Sequence, residues 1–344
     1  MAQQQLDDLP QDLRAWGEQH LGTAEGTVTQ QSGGANNKVY LWQTKRDRVI
    51  VKLYGPIISS QPDRHQAETE FLSYANEVAS EFVPNLLHSD LDHRIVAMEY
   101  LEGTGFQASY EPTEKDVQRA ADFLSALNAN KTDARGKIKT QATDGFLSLS
   151  EHANDVENRL ATLGSDHLPV GYQGQAMALI TAANSRWQVI SENLRNSLST
   201  AEVSDSIEQA TCALSPSDFG FHNAISCTDG LKFHDFEFAG WDDPTKAVVD
   251  FFLQPRVSVS TKYLNIIENV VASTMPMDIL RPRTRALSAI LHLKWVTIVL
   301  AVLRPQRLDA MLAADISQTA DTLIKERLAR AEILLSEGVP IGLP

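Results

Sequence analysis

The order in which strand-like and helix-like texture alternates constrains this chain more than any other feature. Three short runs rich in Val, Tyr and Thr, "GTVTQQ", "KVYLWQT" and "RVIVKLY", lie within residues 26–54, and Gly-Gly-Ala-Asn-Asn separates the first two. Such runs bounded by turn residues read as strands. In "QPDRHQAETEFLSYANEVAS" the apolar positions Ala67, Phe71, Leu72, Ala75 and Val78 then recur at helical spacing. "VPNLLHS" and "RIVAMEYL" return to strand texture. Three strands, one helix and two strands predict a small antiparallel β-rich lobe over residues 1–101, with 1–25 as a helical extension.

The remainder, 102–344, predicts a larger and mainly helical lobe beyond a connector near 101–107. Pro112-Thr113 opens "EKDVQRAADFLSALNA", an amphipathic helix with acidic residues in its first turn. Residues 131–170 are polar and read as loops and short helices, and "GQAMALITAANSRWQVISENLRNSL" is helical again. A β patch at 212–238 interrupts this half. In it Asp229-Gly230 stands between "NAISCT" and "LKFHDFEF", a strong hairpin signal. From Pro244 the chain reads as helical to its end. The expected class is α+β with two lobes, and clefts between lobes are favoured ligand sites.

Composition removes several function classes. With 43% hydrophobic residues in 344, the chain can bury one large core or two smaller ones. A net charge of −14 argues against a nucleic-acid partner, which would call for a basic face. Cys212 and Cys227 are the only cysteines and form no CxxC, so neither a disulfide framework nor a zinc site is expected. The start "MAQQQLDDLP" lacks a signal pattern. The most apolar stretch, Ala286 to Pro305, is broken by His292, Lys294 and Thr297, and reads as a buried core helix with no membrane span. The expectation is a soluble cytoplasmic protein. Oligomeric state is not readable.

The chemistry concentrates in "SPSDFGFHN", Ser215–Asn223. Its Asp218-Phe219-Gly220 imitates the metal-binding tripeptide of protein kinases, which would need an Asp followed five residues later by Asn just upstream. The upstream stretch offers only Asp205, and position 210 is Ala, so that assignment fails. The reverse works: Asp218 is itself followed five residues later by Asn223, then by a hairpin, then by Asp235. That is the spacing of a phosphoryl-transfer catalytic loop with a second acidic residue able to hold Mg²⁺. No GxxxxGK[ST], HExxH or GxSxG pattern occurs. "GTGFQA" imitates a dinucleotide fingerprint, but no helix opens on it.

These residues resemble the aminoglycoside phosphotransferase and choline-kinase-like family, small-molecule kinases of the bilobal protein-kinase-like fold. The family pattern is His-Gly-Asp-x-x-x-x-Asn, a hairpin, then Ile-Asp-Trp/Phe-Glu-x-x-Gly-x-x-x-Asp-Pro. This chain reads "PSDFGFHN" and "HDFEFAGWDDP", departing at Pro216 and Ser217, where the family has His-Gly.

The resemblance implies a nucleotide-binding small lobe and a hairpin at the active site of the helical lobe. Gly33, Gly34 and Asn37 would form the phosphate-approaching turn, and Lys52 would contact phosphates. Glu68 fits as partner of Lys52, with Glu70 left open, since residues two apart on a helix face different ways. Main-chain groups near Glu99 to Leu101 would bond adenine. Asn223 and Asp235 would hold Mg²⁺, and Asp218 would be catalytic. His222 and His234 flank this constellation as packing or orienting residues, and Asp243 reads as the cap of a helix beginning at Pro244.

The implied activity is ATP- and Mg²⁺-dependent phosphorylation of a hydroxyl on a small molecule: an aminoglycoside, an amino alcohol or a sugar. The alternative, motivated by Pro216 and Ser217, is a catalytically impaired module that binds a nucleotide or a partner.

Overall fold

In the computed structural model the described residues are 11–22, 28–31, 37–57, 61–164, 168–254, 256–314, 318–339 and 341. The chain divides into two compact units. The first comprises Met1–Thr143, Ala213–Asp242 and Arg256–Ser258; the second comprises Asp144–Cys212, Asp243–Pro255 and Val259–Pro344. The first unit therefore contains the whole expected small lobe and also takes in 102–143 and the β patch from Ala213 onward.

Unit 1 begins with α1 (Gln11–His20), β1 (Val28–Gln31), β2 (Asn37–Gln43), β3 (Arg48–Tyr54), α2 (Arg64–Val78), β4 (Leu86–Asp90) and β5 (Ile95–Glu99). The strands form one antiparallel sheet in the order β1-β2-β3-β5-β4. Side chains alternate across a strand, and β3 uses both faces. Val49 and Val51 enter a core with Tyr40, Trp42, Ile95, Ala97 and the α1 residues Leu13 and Trp16. Lys52 is out of phase with them and faces α2. Gly17 lets α1 lie directly on the sheet, because a Cβ there would sit 2.3 Å from the Trp42 ring. On α2 the buried residues are His65, Ala67, Glu68, Phe71, Leu72, Tyr74 and Ala75. Val78, expected on the apolar stripe, is exposed at the last turn.

The unit continues with β6 (Gly103–Gly105), α3 (Glu114–Asn128) and α4 (Lys131–Lys137). It is completed by β7 (Ala213–Ser215), β8 (Ala224–Cys227), β9 (Gly230–Phe233) and β10 (Gly240–Asp242). A reciprocal capping box between Thr113 and Asp116 starts α3. "GTG" at 103–105 is a strand paired with β8, so the dinucleotide imitation is a sheet edge. β8 and β9 form the expected hairpin, turning at Asp229-Gly230. Phe123 of α3 ties these parts together, with ring centroids 5.3 Å from Phe233, 6.0 Å from Phe219 and 6.1 Å from Phe236.

Unit 2 is helical: α5 (Leu149–Ala161), α6 (Gln173–Ser197), α7 (Thr200–Ser204), α8 (Pro244–Leu253), α9 (Leu264–Val271), α10 (Met277–Leu300), α11 (Pro305–Ala314) and α12 (Ala320–Ser336). α5, at 13 residues, is longer than the short helices expected in 131–170. Its sequence carries a Ser148–Glu151 capping box and the apolar positions Leu149, Val156 and Leu160. α10 packs against α5, α6, α8 and α12. It is the one helix among the described residues long and apolar enough to cross a membrane, but 89% of its most apolar window is buried inside the protein, which makes it a core helix. Asp243 caps α8 through Thr245 N–H at 2.8 Å, and its other carboxylate oxygen pairs with Arg283 at 2.7 Å.

Candidate active site

Every described member of the constellation lies in unit 1. Lys52 is 6% exposed and Glu68 fully enclosed, and Lys52 Nζ donates to both Glu68 oxygens at 2.8 and 2.9 Å. Glu70, two residues on, points elsewhere: its carboxylate accepts from the Lys139 and Thr140 N–H groups and the Thr140 hydroxyl. The pairing left open in the sequence is thus made by Glu68.

The loop that carries Asp218 is built from its neighbours. Asn128 clasps β7, its amide donating to Leu214 O at 2.9 Å and accepting from Leu214 N–H at 2.8 Å. Beyond β7, Ser217 takes φ +66°, a left-handed conformation uncommon outside glycine, while its N–H donates to Ser215 Oγ at 3.0 Å. Phe219 and Phe221 are buried at 2% and 0%, while the Asp218 carboxylate beside them is 35% exposed. Asn223 Nδ2 donates to Asp218 O at 2.9 Å, with Asp218 Oδ2 3.4 Å away.

The hairpin delivers the second acidic residue. Ala224 pairs with Phe233, and His234 N–H donates to Asn223 O at 3.0 Å, so Asn223 stands opposite His234. Asp235 follows with φ +70°. Backbone held in that region costs of order 1–3 kcal/mol, and such strain gathers at functional sites. Lys52 Nζ reaches Asp235 Oδ1 at 2.7 Å, and Phe236 N–H donates to Glu68 Oε1 at 3.2 Å. Phe236, 1% exposed and 4.6 Å from the Phe71 ring, anchors the segment on α2.

One lysine thus faces two carboxylates. Burial alone would lower the Lys52 pKa, but Asp235 and Glu68 raise it above its ordinary value. Burial raises Glu68, against the pull of Lys52. For Asp235 burial acts upward but is outweighed by Lys52, so it stays below the usual carboxylate range. Burial pushes His234 down to about 4, neutral near pH 7.

The remaining expected residues are placed as follows. Gly33 and Gly34 lie outside the described residues. Asn37, at the start of β2, donates from Nδ2 to Glu237 Oε2. Glu99 N–H donates to Asn85 O at 2.9 Å, so this amide is committed within the sheet and is not offered to a base edge. Its carboxylate is held by Asn85 as well. Leu101, 7% exposed, lies just past the end of β5. Sequence reasoning missed Asn128 and Glu237. Glu237 stands within the quoted "HDFEF", two residues after Asp235, whereas nothing local marks Asn128, whose partner is 86 positions away.

The donor set suits magnesium. A small hard cation that keeps several waters binds one or two protein oxygens plus substrate phosphates. The Asn223 amide turns its nitrogen to Asp218, leaving Oδ1 for other partners, and Asp235 meets Lys52 through one oxygen only. A cation there would also offset the second carboxylate facing Lys52. Among the described residues no cluster of three or more His, Cys, Asp or Glu forms an all-protein metal cage.

The sequence model of the phosphotransferase enzyme family matches residues 27–189. That span holds Lys52, Glu68 and the segment after β5, and ends before Asp218. Solved structures extend the likeness over the whole fold. A spectinomycin phosphotransferase in complex with ADP and spectinomycin is 12% identical, with a TM-score of 0.60, covering 95% of this chain and 99% of that one. A choline kinase from Streptococcus pneumoniae is 15% identical with a TM-score of 0.54, covering 94% and 98%. A choline/ethanolamine kinase family protein from Mesorhizobium loti is 16% identical with a TM-score of 0.52, covering 93% and 92%. The fold is the protein-kinase-like fold of these small-molecule kinases. No curated protein sequence matches the chain.

Proposed function

We propose that this protein is an ATP- and Mg²⁺-dependent phosphotransferase that phosphorylates a hydroxyl of a small molecule. The observation that carries the reading is the contact of Lys52 with both Glu68 and Asp235, 16 and 183 positions away, beside the hairpin that sets Asn223 opposite His234, the residue before Asp235. A structural ion pair needs one carboxylate, and the second is explained by a cationic ligand bound with phosphate.

In this reading Glu68 holds the Lys52 ammonium where phosphate oxygens of ATP can accept from it. Asn223 and Asp235 hold Mg²⁺, which when bound neutralises charge on the transferred group. Asp218 accepts the acceptor's hydroxyl proton as that oxygen bonds to the γ-phosphorus, and the bond to the leaving ADP oxygen breaks. Leu101, past the end of β5, presents main chain to adenine, and Asn37, tied to Glu237, fixes the start of the strand that follows the phosphate-side turn. The acceptor is an aminoglycoside, an amino alcohol or a sugar, classes consistent with the substrates named for the similar structures, spectinomycin and choline among them.

The test is Mg²⁺-dependent ADP release from ATP against a panel of these acceptors, with Asp218→Ala as control. Stimulation by one acceptor, lost in the control, supports the reading. Absence of Mg²⁺-ATP binding overturns it.

A further inference from the structure

We infer that His222 is a positioning residue for Asp218, holding its carboxylate in the orientation that receives the acceptor's proton; the inference rests on the kinase reading above. The His222 side chain is 5% exposed, and its Nε2 lies 3.2 Å from Asp218 Oδ1. The contact is close but not aligned as a hydrogen bond, and among the described residues no hydrogen bond satisfies either ring nitrogen.

The main chain gives the ring little freedom to go elsewhere. His222 is the centre of a 3₁₀ turn, Phe221–Asn223. Phe221 is fully buried on one side of it. On the other side Asn223 N–H donates to Gly220 O at 3.1 Å, and Asn223 O accepts from His234 N–H. The turn therefore delivers the imidazole to the carboxylate four residues back.

An unsatisfied buried polar group is costly to maintain, and a ring placed beside a carboxylate yet unaligned with it is poised to close that bond. Catalytic hydrogen bonds are commonly long or misaligned before substrate binds and tighten in the reactive complex. Once closed, the bond would fix one Asp218 oxygen through His222 while Asn223 stands by the other at 3.4 Å. A carboxylate gripped through both oxygens cannot rotate away from the incoming hydroxyl. Misplacing a reacting group by about 1 Å costs on the order of 10²-fold in rate.

The experiment compares wild type, His222→Ala and His222→Gln, whose side-chain amide restores an N–H donor. ATP hydrolysis with water as acceptor is measured in Mg²⁺, together with Mg²⁺-ATP affinity and Tm. The expected result is a kcat lowered about 10- to 100-fold in His222→Ala, with KM for ATP and Mg²⁺-ATP affinity unchanged, and most of the loss recovered in His222→Gln. Unchanged kcat in His222→Ala overturns the inference. So do equal losses in both variants that track a fall in Tm, which is the pattern of a packing residue. Wild type that binds no Mg²⁺-ATP, or binds it and turns over with neither water nor any acceptor of the panel, refutes the kinase reading itself, and the inference falls with it.

Discussion

Lys52 Nζ lies 2.8 Å from Glu68 Oε1, joining a central strand to the helix packed on its face, with the lysine 6% exposed and the glutamate not at all. Removing one member of such a pair strands the other as an uncompensated charge, which typically costs about 3–5 kcal/mol. Lys52→Met is therefore expected to lower stability by an amount of that order. The double variant Lys52→Met/Glu68→Leu, with no charge left stranded at that pair, should lose less than the single one. Urea denaturation of both checks this, and a double variant at least as unstable as Lys52→Met would count against it.

Asp218→Ala should reduce turnover about 10²- to 10⁴-fold, the usual contribution of a general base, while Mg²⁺-ATP affinity stays close to wild type. Lys52→Met should act on both. Calorimetric titration with Mg²⁺-ATP beside steady-state kinetics separates the two patterns.

Ser217 occupies φ +66°, which a β-branched side chain tolerates poorly. Ser217→Gly is expected to leave Tm and turnover near wild type, whereas Ser217→Val should lower Tm and slow turnover together, because the strain falls on the residue next to Asp218. Equal behaviour of the two variants would show that backbone conformation does not limit this loop.

Gly17→Ala in an exposed helix would stabilise by up to about 1 kcal/mol. Here the new methyl would meet the Trp42 ring at 2.3 Å, and the ring itself is fully buried. The substitution is expected to lower Tm, and a rise would mean that α1 docks on the sheet less tightly than the contact indicates.

His292 and His152 in unit 2 are both held neutral by burial. For His292 the pKa falls from 6.5 to about 4, and for His152 it falls well below the ordinary value. Between pH 6.5 and about 4 the unfolded chain binds a proton at His292 that the folded chain refuses, so stability falls on acidification through that window. Each such histidine contributes at most about 1.4 kcal/mol per pH unit. Tm measured at pH 7 and pH 5 should drop in wild type and drop less in His292→Leu. An identical drop in the two proteins would remove His292 from the account.

The sequence by itself determined the local elements. Alternation in "RVIVKLY" sets Lys52 out of phase with Val49 and Val51, "TDG" closes the β8–β9 hairpin, and Asp243-Pro244 starts α8, because strand period, turn chemistry and capping act between near neighbours in the chain. The Asp218 to Asn223 spacing and Asp235 beyond the hairpin were legible for the same reason. Tertiary structure decided what no spacing encodes. It chose Glu68 over Glu70, since the choice depends on how α2 is rotated over the sheet by Phe71, Leu72 and Ala75. It joined Asn37 to Glu237, 200 positions apart, and set the Asn128 amide on β7. It also brought His222 against Asp218, because burying Phe219 and Phe221 sets the course of the loop between them, and that burial exists only once the core around Phe123 and Phe233 has formed.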